Sequence, residues 1–138
     1  MNSRQKARPS IDVLIAEDDA ITRLTLRQLL EAEGYRCAEA QDGEEAVQIA
    51  RQCPPRLLLL DVMMPGLDGF HAARQIRADP GTHGVPVLFL TARDDRTARA
   101  AARHAGCEVM LTKPFDYDGL LDVVSTALNA DGEGTALE

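Results

Sequence analysis

Residues 57–61 have the sequence LLLLD, four consecutive leucines followed by an acid. A short, uninterrupted apolar run of this kind is typical of a strand buried on both faces of a parallel sheet. Two similar runs, VLIA at 13–16 and VLFL at 87–90, lie before and after it along the chain. YRCAEA at 35–40 and EVML at 108–111 are weaker candidates, and they complete a set of five predicted strands.

Helical patterns fill the intervals between these runs, with apolar residues three and four positions apart. The five sets are Leu26, Leu29 and Leu30; Ala46, Ile49 and Ala50; Phe70, Ala73 and Ile76; Ala98, Ala101, Ala102 and Ala105; and Leu120, Leu121, Val124 and Leu128. Asp19, Asp42 and Asp116 are placed to cap helix N-termini, and Gly34 and Gly106 to end helices. This alternation predicts an α/β fold, a doubly wound five-stranded parallel sheet with helices on both faces.

Composition limits the function further. The chain has 138 residues and a formal net charge of −7, so we expect no direct binding to nucleic acid, which requires a basic face. No apolar run approaches the roughly 20 residues of a membrane helix, and residues 1–10 lack the apolar segment of a secretory signal. We therefore expect a cytoplasmic protein without membrane contact. The expected organisation is a flexible segment at 1–10, one domain at 11–129 and a flexible acidic tail at 130–138.

Polar side chains follow the predicted strands at their carboxyl ends. Glu17 and Asp18 follow the first strand, Asp61 the third and Thr91 the fourth, and Lys113 follows the fifth. Ligands of an open parallel sheet bind beyond these ends. Crowded carboxylates repel one another unless a cation lies among them, and oxygen ligands suit Mg²⁺. The sequence therefore predicts a magnesium site suited to phosphate chemistry, with Asp61 as the nucleophile and Thr91 and Lys113 binding phosphoryl oxygens.

Four stretches together resemble the receiver domain of two-component response regulators: LIAEDDAITR (14–23), LLLLDVMMPGLDGF (57–70), VLFLTA (87–92) and LTKPF (111–115). The resemblance implies a flavodoxin-like (βα)5 fold over about residues 11–129. It implies that the protein accepts a phosphoryl group from a histidine kinase or a histidine phosphotransfer protein. Such a domain is not an enzyme, since it catalyses only its own phosphorylation and autodephosphorylation.

The resemblance also assigns roles to individual residues. Asp61 is the implied phosphoacceptor, and Thr91 is the switching hydroxyl, with Lys113 as the charge partner. The peptide between Lys113 and Pro114 is expected to be cis. The implied ligands of Mg²⁺, for which Mn²⁺ can substitute, are Glu17, Asp18, Asp61 and the backbone carbonyl of Met63.

Two positions depart from the usual receiver pattern. Position 17 is Glu where Asp is more common, and its extra methylene favours a water-mediated contact with the metal. Position 110 is Met where Tyr or Phe is usual. Because an aromatic ring there ordinarily moves with the threonine, Met110 is expected to take part in the switch through a different rearrangement.

Arg96, Arg99 and Arg103 form a basic ridge at helical spacing. The resemblance implies that the fourth helix and fifth strand bind a downstream protein partner or a second copy of the chain. The alternative is a solvated helix face without a partner.

Three other functions compete with phosphorylation of a receiver. A receiver-like interaction module would never be phosphorylated. A phosphatase with an aspartyl nucleophile would place its general acid two residues after Asp61, where this chain has Met63. A nucleotide hydrolase would need a G-x-x-x-x-G-K-[ST] loop, which the sequence lacks.

Overall fold

The structure, a computed structural model, describes residues 10–91, 100–101, 103–104, 109–113 and 116–133. The strands are β1 (Val13–Ala16), β2 (Cys37–Ala40), β3 (Leu57–Asp61), β4 (Val87–Thr91) and β5 (Val109–Thr112). The helices are α1 (Ala20–Ala32), α2 (Gly43–Gln52), α3 (Gly69–Ala78) and a C-terminal helix (Tyr117–Glu133). Residues 100, 101, 103 and 104 are also helical, in agreement with the fourth helix that the alanine spacing predicts.

The five strands form one parallel sheet in the order β2-β1-β3-β4-β5. This order confirms the predicted doubly wound fold. The strand order reverses between β1 and β3, which is the position where open α/β sheets bind their ligands. Ala16 lies opposite Leu60 in the register, so the next residues, Glu17 and Asp61, reach the carboxyl edge at the same level.

Two apolar layers cover the sheet, one on each face. Leu58, Leu60 and Phe89 pack toward α2 and α3, whereas Leu57 and Leu59 pack toward α1 and the C-terminal helix. Every residue of β1, β3 and β4 is buried. Because both faces are covered, these strands have continuous apolar sequences rather than an alternating pattern.

Helix caps fix where the chain turns away from the sheet. The Asp19 carboxylate accepts a hydrogen bond from the Thr22 amide at 2.8 Å, so α1 begins immediately after Asp19. Asp42 and Asp116 also accept amide hydrogen bonds at the helix starts predicted for them. Asp68 caps α3, which the sequence analysis did not predict because Asp68 lies inside the PGLDG loop.

Several sequence predictions fall outside the described residues. These are Arg96 and Arg99 of the basic ridge, Ala98, Ala102 and Ala105 of the predicted fourth helix, Gly106, the cis peptide at Pro114, and residues 1–9 and 134–138 of the predicted end segments 1–10 and 130–138. Among the helices of the described part, none has both the length and the apolar character required to cross a membrane.

Candidate functional site

Three carboxylates meet at the carboxyl edge of the sheet. Glu17, Asp18 and Asp61, here called the acid cluster, each offer an oxygen that lies within 4.8 Å of the others. Glu17 and Asp61 are buried, with 1% and 3% of their surfaces exposed, whereas Asp18 is exposed. A group of oxygen donors that is open to solvent on one side fits a hard divalent cation such as Mg²⁺.

Within the described part of the chain, Lys113 is the cationic side chain in contact with this cluster. Its Nζ atom lies 3.1 Å from Oε1 of Glu17 and 3.5 Å from Oδ1 of Asp61. The Lys113 amide donates to the Thr91 carbonyl at 2.7 Å, which fixes the lysine at the end of β5. Burial alone would lower the pKa of Lys113, but the two carboxylates outweigh burial and raise it, so the ammonium stays charged.

The pKa of Glu17 shows that the Lys113 ammonium does not fully compensate the negative charge of the acid cluster. Burial and the neighbouring charge of Asp61 raise the pKa of Glu17 to about 7, although Lys113 and the Asp19 amide act in the opposite direction. The Asp19 amide donates to Oε2 of Glu17 at 3.2 Å. A second positive charge at this edge would therefore stabilise the ionised carboxylates.

The loop after β3 forms the rim of the site. The Met63 amide donates to Oδ1 of Asp61 at 3.3 Å, and the Met63 side chain is 59% exposed. Together with Asp18 the loop lines a solvent-open cavity of about 530 Å³. No pattern in the sequence indicates this cavity. Its lining residues are Asp18, Val62, Met63, Met64, Pro65, Gly66, Asp68 and Phe70.

Two glycines determine the path of this loop. A Cβ atom at Gly69 would lie 2.5 Å from the carbonyl oxygen of Asp61. At Gly43, the first residue of α2, a Cβ atom would overlap the carbonyl oxygen of Leu67. The loop backbone therefore packs directly against a glycine at each of these positions, and it leaves the end of β3 along a fixed route.

Thr91 and Met110 lie on the strands beyond Asp61. Thr91 is fully buried and ends β4, whose Leu90 is opposite Asp61 in the register. Met110 lies opposite Phe89 on β5 and is half-buried against the α2 and α3 face of the core. The structure thus brings the described residues of the predicted site to one edge, with Met110 one layer below it.

Arg23 belongs to the surroundings of the site and was missed by the sequence analysis. Its guanidinium donates to the backbone carbonyl of Glu17 at 2.7 Å and to the Glu39 carboxylate at 2.9 Å. The only signal in the sequence is an arginine four residues after the helix cap Asp19, and an arginine in that place is equally compatible with an exposed helix position.

Comparisons with known proteins agree on one family. The family model described as "Response regulator receiver domain" matches residues 13–125. PilH of Pseudomonas aeruginosa is 35% identical over 116 residues, which cover 84% of this chain and 96% of PilH. The transcriptional regulatory protein PdtaR of Mycobacterium tuberculosis is 41% identical over 127 residues, which cover 91% of this chain but 60% of PdtaR. The chain therefore spans about three fifths of the length of that relative.

Solved structures show the same fold. The receiver domain of the sensor histidine kinase PA1611 from Pseudomonas aeruginosa has a TM-score of 0.80 and 30% identity, with 88% of this chain and 99% of that chain covered. Its active-site cleft holds a coordinated magnesium ion. A second match comes from a Saccharomyces cerevisiae co-crystal structure of the histidine phosphotransfer protein Ypd1 with the Ssk1 receiver domain. Its TM-score is 0.80 at 30% identity, with 88% of this chain and 91% of the matched chain covered.

Proposed function

We propose, since this chain belongs to the response regulator receiver domain family of two-component signalling, that Asp61 accepts a phosphoryl group from a phosphohistidine. A receiver domain is a signalling module rather than an enzyme. The observation that carries the proposal is the geometry around Asp61, a buried carboxylate at the end of β3 with the Lys113 ammonium 3.5 Å away and two further acids beside it.

The proposed transfer is a displacement at phosphorus. An Asp61 carboxylate oxygen forms the new bond to phosphorus while the bond between phosphorus and the donor imidazole nitrogen breaks. The nitrogen keeps the electron pair and takes up a proton, and Asp61 becomes an acyl phosphate. Lys113 neutralises one phosphoryl oxygen, and the Thr91 hydroxyl donates a hydrogen bond to another.

We propose that Glu17, Asp18, Asp61 and the Met63 carbonyl hold Mg²⁺ or, in its place, Mn²⁺. When bound, the metal would screen the negative charges of the carboxylates and of the incoming phosphoryl group. The oxygen donors of the acid cluster and the raised pKa of Glu17 support this assignment. The magnesium ion in the cleft of the PA1611 receiver is a precedent in a related domain.

For the switch, we propose that phosphorylation draws the Thr91 hydroxyl toward the phosphoryl group and that Met110 repacks in response. The half-buried Met110 contacts the core layer that contains Phe89, next to the strand that ends in Thr91. Methionine is unbranched and has more rotatable bonds than an aromatic residue, so it can fill the altered volume in several rotamers. We therefore expect modest coupling between phosphorylation and the outer surface.

The proposed phosphodonor is a histidine kinase or a histidine phosphotransfer protein. Ypd1 bound to the Ssk1 receiver is the precedent in a related structure. Ile21 and Leu24, on the first turns of α1 next to the acid cluster, are 77% and 50% exposed and offer apolar contact to a partner that delivers the phosphoryl group. A downstream partner or a second copy would use the face of the predicted fourth helix, of which Arg103 is exposed.

Incubation with acetyl phosphate and Mg²⁺, followed by intact-mass measurement, tests the proposed acceptor. We expect one added phosphoryl group that hydroxylamine removes, no addition in Asp61→Asn, and full addition in Asp122→Asn, which changes an exposed aspartate of the C-terminal helix. Equal labelling of Asp61→Asn would show that another residue is the acceptor. An unlabelled wild type would favour the interaction module, and continuous hydrolysis of p-nitrophenyl phosphate would favour the phosphatase.

A further inference from the structure

Arg23 connects the acid cluster to the neighbouring strand β2. Its side chain is 13% exposed, although it lies on the outer helix α1. One guanidinium nitrogen, Nη1, donates to the backbone carbonyl of Glu17 at 2.7 Å, and Nε donates to Oε1 of Glu39 at 2.9 Å. The arginine therefore spans from the end of β1 to the middle of β2.

The Glu17 carbonyl belongs to the peptide that leads into Asp18. A peptide group is planar, so fixing the direction of this carbonyl also fixes the direction of the Asp18 amide and the position of its Cα atom. The Asp18 side chain is exposed and, within the described part of the chain, has no hydrogen bond or ion pair of its own. Its approach to Glu17 and Asp61 therefore depends on the backbone.

The other end of the arginine is also fixed. Nη1 of Arg27 donates to Oε2 of Glu39 at 2.8 Å, and Nε of Arg27 contacts Glu31 at 2.9 Å. Both Glu39 oxygens are thus engaged, one by each arginine. These side-chain hydrogen bonds form one continuous series of contacts, from Glu31 through Arg27, Glu39 and Arg23 to the Glu17 carbonyl.

We infer that Arg23 is a positioning residue for cation binding, which holds the Glu17–Asp18 peptide so that the acid cluster is arranged before the cation arrives. This inference rests on the proposed function, in which the acid cluster is the Mg²⁺ site. Glu39 acts through Arg23, because it engages the guanidinium rather than the cluster.

Charge and geometry predict opposite outcomes when Arg23 is changed. The guanidinium is positive, so through its charge alone it disfavours a nearby cation, and removing it would tighten Mg²⁺ binding. A positioning role predicts weaker Mg²⁺ binding instead. Without the hydrogen bond to the Glu17 carbonyl, part of the binding free energy is used to order the carboxylates. Arg23→Lys keeps the charge but cannot donate to Glu17 and Glu39 in the same forked geometry.

Titration calorimetry with Mg²⁺ alone, without a phosphodonor, gives the first readout. We expect Arg23→Lys to weaken Mg²⁺ binding about tenfold, as partners of metal ligands commonly do when they are changed. Arg51→Lys is the matched control, since Arg51 makes the same type of ion pair with Asp79 at 2.9 Å on the opposite side of the sheet, and it should leave the affinity unchanged. Unchanged or tighter binding by a folded Arg23→Lys protein would overturn the inference.

Phosphorylation by acetyl phosphate gives the second readout. Arg23→Lys should raise the Mg²⁺ concentration for half-maximal phosphorylation about tenfold, while the rate at saturating Mg²⁺ stays within about twofold of the wild type. A defect that saturating Mg²⁺ does not restore would contradict a positioning role. If the wild type binds Mg²⁺ but Asp61 is never phosphorylated, the proposed function fails while the calorimetric result still decides the role of Arg23.

Glu39→Gln provides an independent test that does not depend on the folding of the arginine variant. It removes the anchoring charge on β2 without touching the cluster, and we expect weaker Mg²⁺ binding. Since loss of a negative charge alone also weakens cation binding, the combined variant separates the two effects. Combined with Arg23→Lys it should add little further loss, since both substitutions act on one series of contacts. Full additivity, or wild-type affinity in Glu39→Gln, would remove Glu39 from the inferred arrangement.

Discussion

The two edges of the sheet hold buried carboxylates in opposite electrostatic environments. At the amino edge, Asp12 accepts a hydrogen bond from the Arg36 amide at 2.8 Å and faces the guanidinium groups of Arg36 and Arg56 at 3.5 and 3.3 Å. At the carboxyl edge, Glu17 and Asp61 face one Lys113. Asp12 and Glu17 are both more than nine-tenths buried, so burial does not explain the difference between them.

The pKa values of Asp12 and Glu17 shift in opposite directions as a result. Burial favours a higher pKa for Asp12, but the Arg36 amide and the two guanidinium groups outweigh it, so the pKa is lowered. At Glu17 burial and Asp61 prevail, and the pKa is raised to about 7. Among the described residues, the amino edge thus supplies two cations for one carboxylate, whereas the carboxyl edge supplies one cation for three. The first arrangement stabilises the folded chain, and the second leaves a negative charge that an added cation can compensate.

The largest expected effect comes from Glu17→Gln, which removes the destabilising charge at the carboxyl edge. The Glu17 carboxyl has a pKa of about 7 in the folded protein against 4.5 for an ordinary glutamate, so the folded state binds its proton more tightly. The contribution of Glu17 to stability therefore falls as the pH rises between these two values. At pH 8 in EDTA we expect the unfolding free energy of the variant to exceed that of the wild type by about 3 kcal/mol.

Urea unfolding at two pH values measures this difference. At pH 5 it should shrink below about 1 kcal/mol, because Glu17 is then largely protonated in the folded protein. Glu33→Gln, at an exposed position just after α1, should show no such pH dependence. Equal stabilities of wild type and Glu17→Gln at pH 8 would mean that the charge of Glu17 does not destabilise the folded chain at the carboxyl edge.

A smaller effect of opposite sign is expected from Asp12→Ala at the amino edge. Loss of this carboxylate removes charge-assisted hydrogen bonds and should lower the unfolding free energy at pH 7 by about 2 kcal/mol. Because the pKa of Asp12 is lowered in the folded protein, its stabilising contribution is fully present above the ordinary value of 3.8 and is lost as the pH falls through the folded value.

Thermal and urea unfolding at pH 7 and below pH 3.8 check the Asp12 prediction. The control is Arg51→Ala, which breaks an exposed ion pair with Asp79 and should change the stability by less than about 0.5 kcal/mol. If Asp12→Ala costs no more than this control, the Asp12 contacts are equivalent to a surface ion pair.

The smallest effect is expected from Asp18→Asn, which reduces the charge of the acid cluster at its exposed member. Solvent screens this residue, so the gain in unfolding free energy in EDTA should stay below about 1 kcal/mol. The same substitution should weaken Mg²⁺ binding, and therefore reduce the rise in melting temperature that Mg²⁺ produces in the wild type. A variant that binds Mg²⁺ as tightly as the wild type would show that Asp18 is not a ligand.

The sheet could be predicted because its central strands are apolar at every position. The runs at 13–16, 57–60 and 87–90 have no alternating pattern, and strands with this property are buried on both faces. The position of the acid cluster followed from the same reasoning, because residues just after parallel strands share one edge. β3 and β4 extend one residue beyond the apolar runs, since Asp61 and Thr91 still pair within the sheet.

The contacts around the two edges could not be predicted in the same way. Arg56 reaches Asp12 across 44 positions of sequence, and Arg23 reaches Glu39 across 16. Ion pairs of this kind have no periodicity, and an arginine on a helix or in a loop has the same local pattern whether it is solvated or paired. The metal and phosphoacceptor roles of the individual residues remain predictions that the experiments above address.

The two glycine contacts of the loop after β3 have a consequence for how this protein can diverge. Gly69 and Gly43 fix the loop through backbone packing, while the side chain of Met63 points into solvent. Residues at the tip can therefore be exchanged without displacing the end of the strand beneath them. A change of side chain at position 63 would therefore alter the loop surface alone, whereas any side chain larger than hydrogen at position 43 or 69 would push the loop away from the end of β3.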